Sequence, residues 1–149
     1  MYVTEAAIAS FNMTSKTARD EMIRKRDANS GQNAIDQLRA IAGLCNSGEF
    51  DAATNHLPLP ERKINGDATD QAILRFSEFL GSVSELKAMW TKTFELAFNS
   101  KNKYMIRTLS LADKTGLPLA LPIDEASQFQ EGDTSVPLLI ISCLRSVLI

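Results

Sequence analysis

Histidine and cysteine are nearly absent from this chain: His56 is the one histidine, and Cys45 and Cys143 are the two cysteines, among 149 residues. The cysteines lie far apart with no histidine cluster beside them. That spacing fits neither a zinc site nor a disulfide framework. His56 stands in a loop that also holds Pro58 and Pro60, with no sequence neighbour to pair with, and reads as a surface residue rather than a base. An excess of one charge is missing too. Sixteen basic residues face eighteen acidic ones, a formal charge of −2. No basic field marks a nucleic-acid or anionic-membrane binder. Long apolar runs are also missing. The longest, 136–149, falls short of the roughly 18 residues that a membrane helix needs and carries Arg145. The N-terminus, with Glu5 and an interrupted apolar stretch, lacks a signal-peptide pattern. The expectation is a soluble chain without direct membrane insertion and without a nucleic-acid partner.

What is present suits one globular domain spanning 1–149. A chain of this length buries roughly two-thirds of its unfolded surface. Residues 1–32 are mixed: 2–11 reads as strand or short helix, and Lys16, Arg19, Arg24, Lys25 and Arg26 interleave with acids as a solvated face. From 33 to 45, Ile35, Leu38, Ile41, Ala42 and Cys45 recur at helical spacing, and Gly48 fits a left-handed cap. Residues 49–65 read as a long polar loop. A second helix is predicted over 67–80, with Asp67 as its cap, Asp70 at the capping-box position, and Ala72, Ile73, Phe76 and Leu80 as its buried stripe. A short third helix places Val83, Leu86 and Trp90 on one side.

The period then changes from helical to alternating. Phe94, Leu96 and Phe98 alternate with Glu95 and Ala97, and 103–111 alternates again, which predicts a β-hairpin over 94–111 with its loop at 99–102. Residues 136–143 suit one more strand. Helices and hairpin in separate blocks give an α+β fold, an antiparallel sheet packed against several helices.

Two segments, in this order and at this spacing, resemble a known family. The first is Leu38-Arg39-Ala40-Ile41-Ala42-Gly43-Leu44-Cys45-Asn46, followed after a loop by Gly66-Asp67-Ala68-Thr69-Asp70-Gln71-Ala72-Ile73-Leu74. The second is Phe98-Asn99-Ser100-Lys101-Asn102-Lys103-Tyr104. Together with Gly81-Ser82-Val83 they are similar to the nucleotide-binding domain of P-type cation-transporting ATPases, most of all the sodium/potassium pump alpha subunit and its fungal and protist relatives. The family-like core covers about 35–110; 117–149 departs from the pattern as a divergent or truncated part.

The resemblance implies a site. Phe98 matches the phenylalanine that stacks on adenine, Lys103 the lysine lining the adenine pocket, and Ser100 a pocket-lining serine. Asp70 stands where the family has a glutamate that hydrogen-bonds the adenine amino group, and is one methylene shorter. Met105 stands where the sodium pump has a glutamine. The chemistry agrees: an adenine ring accepts a flat aromatic partner, its amino group a carboxylate, and phosphate charge a lysine. The local pattern alone leaves other roles open. Phe98 suits a core position equally, Asp70 a helix cap, and Lys103 an exposed turn.

The implied function is an ATP-binding cytoplasmic fragment of a monovalent-cation pump. Magnesium accompanies the nucleotide, and the partners are the pump's phosphorylation and actuator domains. The parent would sit in the membrane, with this chain on its cytoplasmic face. A degenerate interaction module without nucleotide binding is the alternative. The family's phosphorylated motif is Asp-Lys-Thr-Gly-Thr. Here Asp113-Lys114-Thr115-Gly116 follows the Phe98 segment instead of preceding it, and Leu117 replaces the last threonine. It reads as a turn. No Lys-Gly-Ala-Pro segment follows the hairpin. The chain alone is expected not to hydrolyse ATP.

Overall fold

Asp67 sets the start of the central helix, and the rest of the fold is organised around that helix and the one before it. The computed structural model describes residues 1–8, 11–27, 34–101, 104–112 and 138–144. Two short strands, β1 (Glu5–Ile8) and β2 (Phe11–Thr14), form an antiparallel hairpin that leads into α1 (Ser15–Asp27). Then come α2 (Ala34–Leu44), the two-residue strands β3 (Glu49–Phe50) and β4 (Ile64–Asn65), α3 (Ala68–Leu80) and α4 (Val83–Met89). Strands β5 (Trp90–Leu96), β6 (Tyr104–Leu111) and β7 (Leu138–Leu144) make an antiparallel sheet in the order β5-β6-β7. This is the expected α+β architecture with antiparallel sheets.

The carboxylate of Asp67 accepts the amides of Thr69 and Asp70 at 2.9 and 2.8 Å, satisfying two of the free donors that open α3. Ser82 caps α4 in the same manner through the Glu85 amide. Residues 49–65, expected as a loop, contain the β3–β4 ladder and two 3-10 turns. Two-residue strands are too short to show an alternating pattern.

Helix α2 packs on both sides. One side joins Ala40, Leu44 and Cys45 to Leu86, Trp90, Met105 and Leu109. The other joins Ile35 and Ala42 to Phe76 and Leu80 of α3 and to Ala18 and Met22 of α1. The buried set on α2 differs from the expected stripe: Ile41 is exposed and Arg39 is buried. Arg39 is tolerated because its Nη2 donates to the Ser82 carbonyl at 2.6 Å, tying α2 to the start of α4. Helices α2 and α3 cross closely at Gly43. A Cβ there would lie 2.6 Å from Ser77 Oγ and 2.8 Å from Leu86 Cδ2. The Ser77 hydroxyl donates across this crossing to the Arg39 carbonyl at 3.0 Å.

The glycine expected as a left-handed cap, Gly48, has another role. The positive φ, 133°, belongs to Gly66. Gly48 is held small by its neighbours: a Cβ there would lie 2.8 Å from Asn46 Oδ1, and a Cβ on Gly66 would approach Gly48 Cα to 3.1 Å.

The β5–β6 hairpin begins at Trp90, earlier than residue 94, and its strands flank the expected loop. A bulge between Lys92 and Phe94 shifts the register. The extra residue moves Phe94 and Leu96 to the outer face, where both are exposed. Trp90, Met105, Arg107 and Leu109 are the buried positions instead. The strand expected near 136–143 is β7, paired with β6 from Tyr104↔Leu144 to Ser110↔Leu138.

Candidate functional site

The end of α2 is where the hairpin and the start of α3 meet, and the residues there are tied by buried hydrogen bonds. Asn46 is at the centre. Its Nδ2 donates to the Asp70 carbonyl at 3.0 Å, and its Oδ1 accepts the Gly48 amide at 2.6 Å. Its own carbonyl accepts Arg107 Nη1 at 2.5 Å, and the Leu44 carbonyl accepts the same nitrogen at 2.9 Å. Arg107 thus places a cation at the C-terminal end of α2, where the helix dipole is negative and the carbonyls lack helical partners. Its Nε and Nη2 donate to Glu95 Oε1 at 3.1 and 2.6 Å. Lys92 Nζ donates to the other oxygen at 2.5 Å. These two cationic partners, Lys92 first and Arg107 second, hold the Glu95 carboxyl below its ordinary range.

Of the residues expected from sequence, Asp70 is tied to this junction by the hydrogen bond that its carbonyl accepts from Asn46. Asp70 lies in the first turn of α3 and is 4% exposed. Its backbone is fixed by Asn46 and its amide by Asp67. Phe98 follows β5, is half-buried, and packs on the cluster that contains Cys45, Trp90 and Met105. Ser100 is exposed in the turn that Asn99 stabilises by accepting the Lys101 amide at 2.8 Å. Lys103 lies outside the described residues, as does the 113–116 segment. Met105, at the family's glutamine position, is 1% exposed and belongs to the core. Asp70 is thus tied to the end of α2 through Asn46, while Phe98 packs on the core cluster to which α2 contributes Ala40 and Leu44. Sequence reasoning missed Asn46 and Arg107 as the residues that hold this junction. An asparagine after a helix reads as an ordinary stop, and an arginine in an alternating strand reads as solvent-facing.

A cavity of about 520 Å³ lies elsewhere, between α1, α3 and the 59–62 turn. None of Asp70, Phe98 or Ser100 lines it. Among the described residues no group of His, Cys, Asp and Glu is arranged to hold a metal ion. No helix among them is long and apolar enough to cross a membrane.

A two-sided α2, a capped α3 and a hairpin stapled to the end of α2 by an arginine define a helix-backed antiparallel domain with an aromatic residue at the hairpin turn. Residues 34–120, more than half of the chain, match the family model described as P-type ATPase, cytoplasmic domain N, of the cation-transporting ATPases. The chain belongs to that family. Among curated proteins it is similar to the sodium/potassium-transporting ATPase subunit alpha-A of Artemia franciscana, at 34% identity over 115 residues. That match covers 72% of this chain and 12% of the relative, so the chain spans about an eighth of the length of the relative.

Proposed function

We propose that this domain binds ATP through its adenine ring and presents the nucleotide to a separate phosphorylation domain of a monovalent-cation pump, with magnesium carried on the phosphates. The observation that carries this reading is the position of Phe98. The ring is half-buried against the core beside the hairpin turn, which fixes the position of the flat aromatic surface that adenine stacking needs. Ser100 beside it is exposed to a ligand. Asp70 is assigned to the adenine amino group by its place in the matched segment, at the start of α3. Lys103 is assigned to the pocket by its place in the matched segment. When bound, the nucleotide supplies the transferable phosphoryl group; this chain binds and orients it. Actuator and phosphorylation domains are the partners in this reading, and the cytoplasmic face of a membrane is its setting.

Adenine stacking on one ring contributes about 1–3 kcal/mol, and one hydrogen bond to a charged group about 1.5–3 kcal/mol. Against the several kcal/mol lost on association, these leave weak binding, with a Kd of about a millimolar or higher. Trp90 packs in the cluster that Phe98 touches, so its fluorescence reports on the site. ATP titration should change that signal, and Phe98→Ala should abolish the change while Lys103→Ala weakens it less. Equal binding by wild type and Phe98→Ala refutes the pocket. No binding by wild type at high nucleotide concentration leaves an interaction module without nucleotide.

A further inference from the structure

The cavity between α1, α3 and the 59–62 turn has a composition that the nucleotide reading does not use. Its walls are largely apolar, with Leu59 and Pro60 on one side and Ala72, Phe76 and Phe79 from α3 on another. Its volume of about 520 Å³ lies within the range of small-molecule pockets. Three arginines also line it, Arg19, Arg62 and Arg75, against one acid, Glu78. Glu78 is already committed: Oε1 pairs with Arg62 Nη1 at 3.0 Å and Oε2 accepts the Val83 amide at 2.7 Å.

The other two arginines have aromatic neighbours and, among the described residues, no carboxylate partner. The Arg19 guanidinium lies 4.5 Å from the centre of the Phe79 ring, and that of Arg75 lies 5.8 Å from the Tyr2 ring. Arg75 Nη2 donates to the Arg62 carbonyl at 2.8 Å, while Nη1 is buried with no hydrogen-bond acceptor among the described residues. A buried donor without an acceptor is uncommon in folded proteins. A guanidinium recognises anionic oxygens by paired donors. Two guanidiniums without a carboxylate partner among the described residues, on an apolar cavity, therefore define one ligand chemistry: an anionic head on an apolar body.

We propose that this cavity is a binding site for a small amphipathic anion of the carboxylate class, its head between Arg19 and Arg75 and its tail against Phe76 and Phe79. The site is independent of Phe98. Calorimetric titration of the full chain with octanoate, octanol and inorganic phosphate tests it. Octanoate should bind at least tenfold more tightly than either octanol or phosphate. Arg75→Met should lose at least tenfold, and Phe98→Ala should lose nothing. Arg19→Met, which changes an exposed side chain, should lose at least threefold while leaving the amide spectrum of β5 and β6 unchanged, which separates lost recognition from lost folding. Failure of octanoate to bind at millimolar concentration overturns the proposal. So does octanol binding as tightly as octanoate, which leaves an apolar cavity only, or phosphate binding as tightly, which leaves a charge patch only. Retention of full affinity in Arg19→Met overturns it as well.

Discussion

Arg107 donates from all three of its guanidinium nitrogens, and two of its four hydrogen bonds go to carbonyls that water does not reach. Leu44 and Asn46 are 3% and 2% exposed. In Arg107→Met the side chain keeps an apolar stem of similar bulk, and both carbonyls lose the guanidinium donor. Each such loss costs about 1–3 kcal/mol. Glu95 suffers less, because Lys92 still holds it and its side chain is 26% exposed. Removing a buried cation also returns part of its desolvation cost. The net loss should be about 3 kcal/mol. With a urea m-value of about 2 kcal/mol per M, typical of a small domain, the unfolding midpoint should fall by about 1.5 M with the slope unchanged. Arg107→Lys should be intermediate, since an ammonium cannot span Glu95 and two carbonyls with one planar fork. Glu95→Gln should cost no more than about 1 kcal/mol. A midpoint shift below about 0.5 M for Arg107→Met, or an equal shift for Glu95→Gln, would falsify the view that the carbonyls of α2 are what Arg107 serves.

Gly43→Ala gains about 1 kcal/mol of helix propensity but meets Ser77 Oγ and Leu86 Cδ2 below 3 Å. A net loss of about 1–2 kcal/mol is expected from overpacking; thermal unfolding measures it, and stabilisation would show that α2 and α3 separate freely. Asp67→Ala removes the acceptor of two amides and should cost about 1 kcal/mol, read by urea unfolding, whereas Asp67→Asn should cost far less. Glu95 has a folded value below its ordinary 4.5. Its pairing therefore adds stability that is fully present above that value and lost as pH falls through the lower folded one. Glu95→Gln should flatten the acid limb of stability below about pH 5, and an unchanged limb would remove Glu95 from the account.

Much of the helical frame was legible. The 33–45 and 67–80 helices are predicted to within a residue or so, because each carries a clear apolar face and Asp67 is a strong start signal. The hairpin turn was legible at Asn99, Ser100 and Lys101, since asparagine and serine between alternating runs mark a turn. The inward face of the hairpin was not. Alternation in 94–98 gives the period and not the side, and the bulge at Lys92–Phe94 reverses the side. Burial of Arg107 was hidden for a related reason. Its acceptors are carbonyls of a helix end some 60 residues earlier, and no local pattern records them. The candidate site was legible only through the resemblance. Asp70, Phe98 and Ser100 each have an ordinary local role, and the tie between Asp70 and the end of α2 depends on Asn46, 24 residues earlier.

The bulge in β5 has a consequence for self-association. Among the described residues β5 pairs with β6 alone, so its other edge offers open backbone groups beside the exposed Phe94 and Leu96. A long flat edge of that kind is a template for a second chain. Here the regular ladder is split into 90–92 and 94–96, two stretches of three residues out of phase with each other. An incoming strand can match one stretch only by mismatching the other. Lys92 stands at the break with its ammonium on Glu95, which an invading strand would have to accommodate. The distortion that aims Phe94 outward thus also denies the edge the uninterrupted length on which fibrous stacking depends.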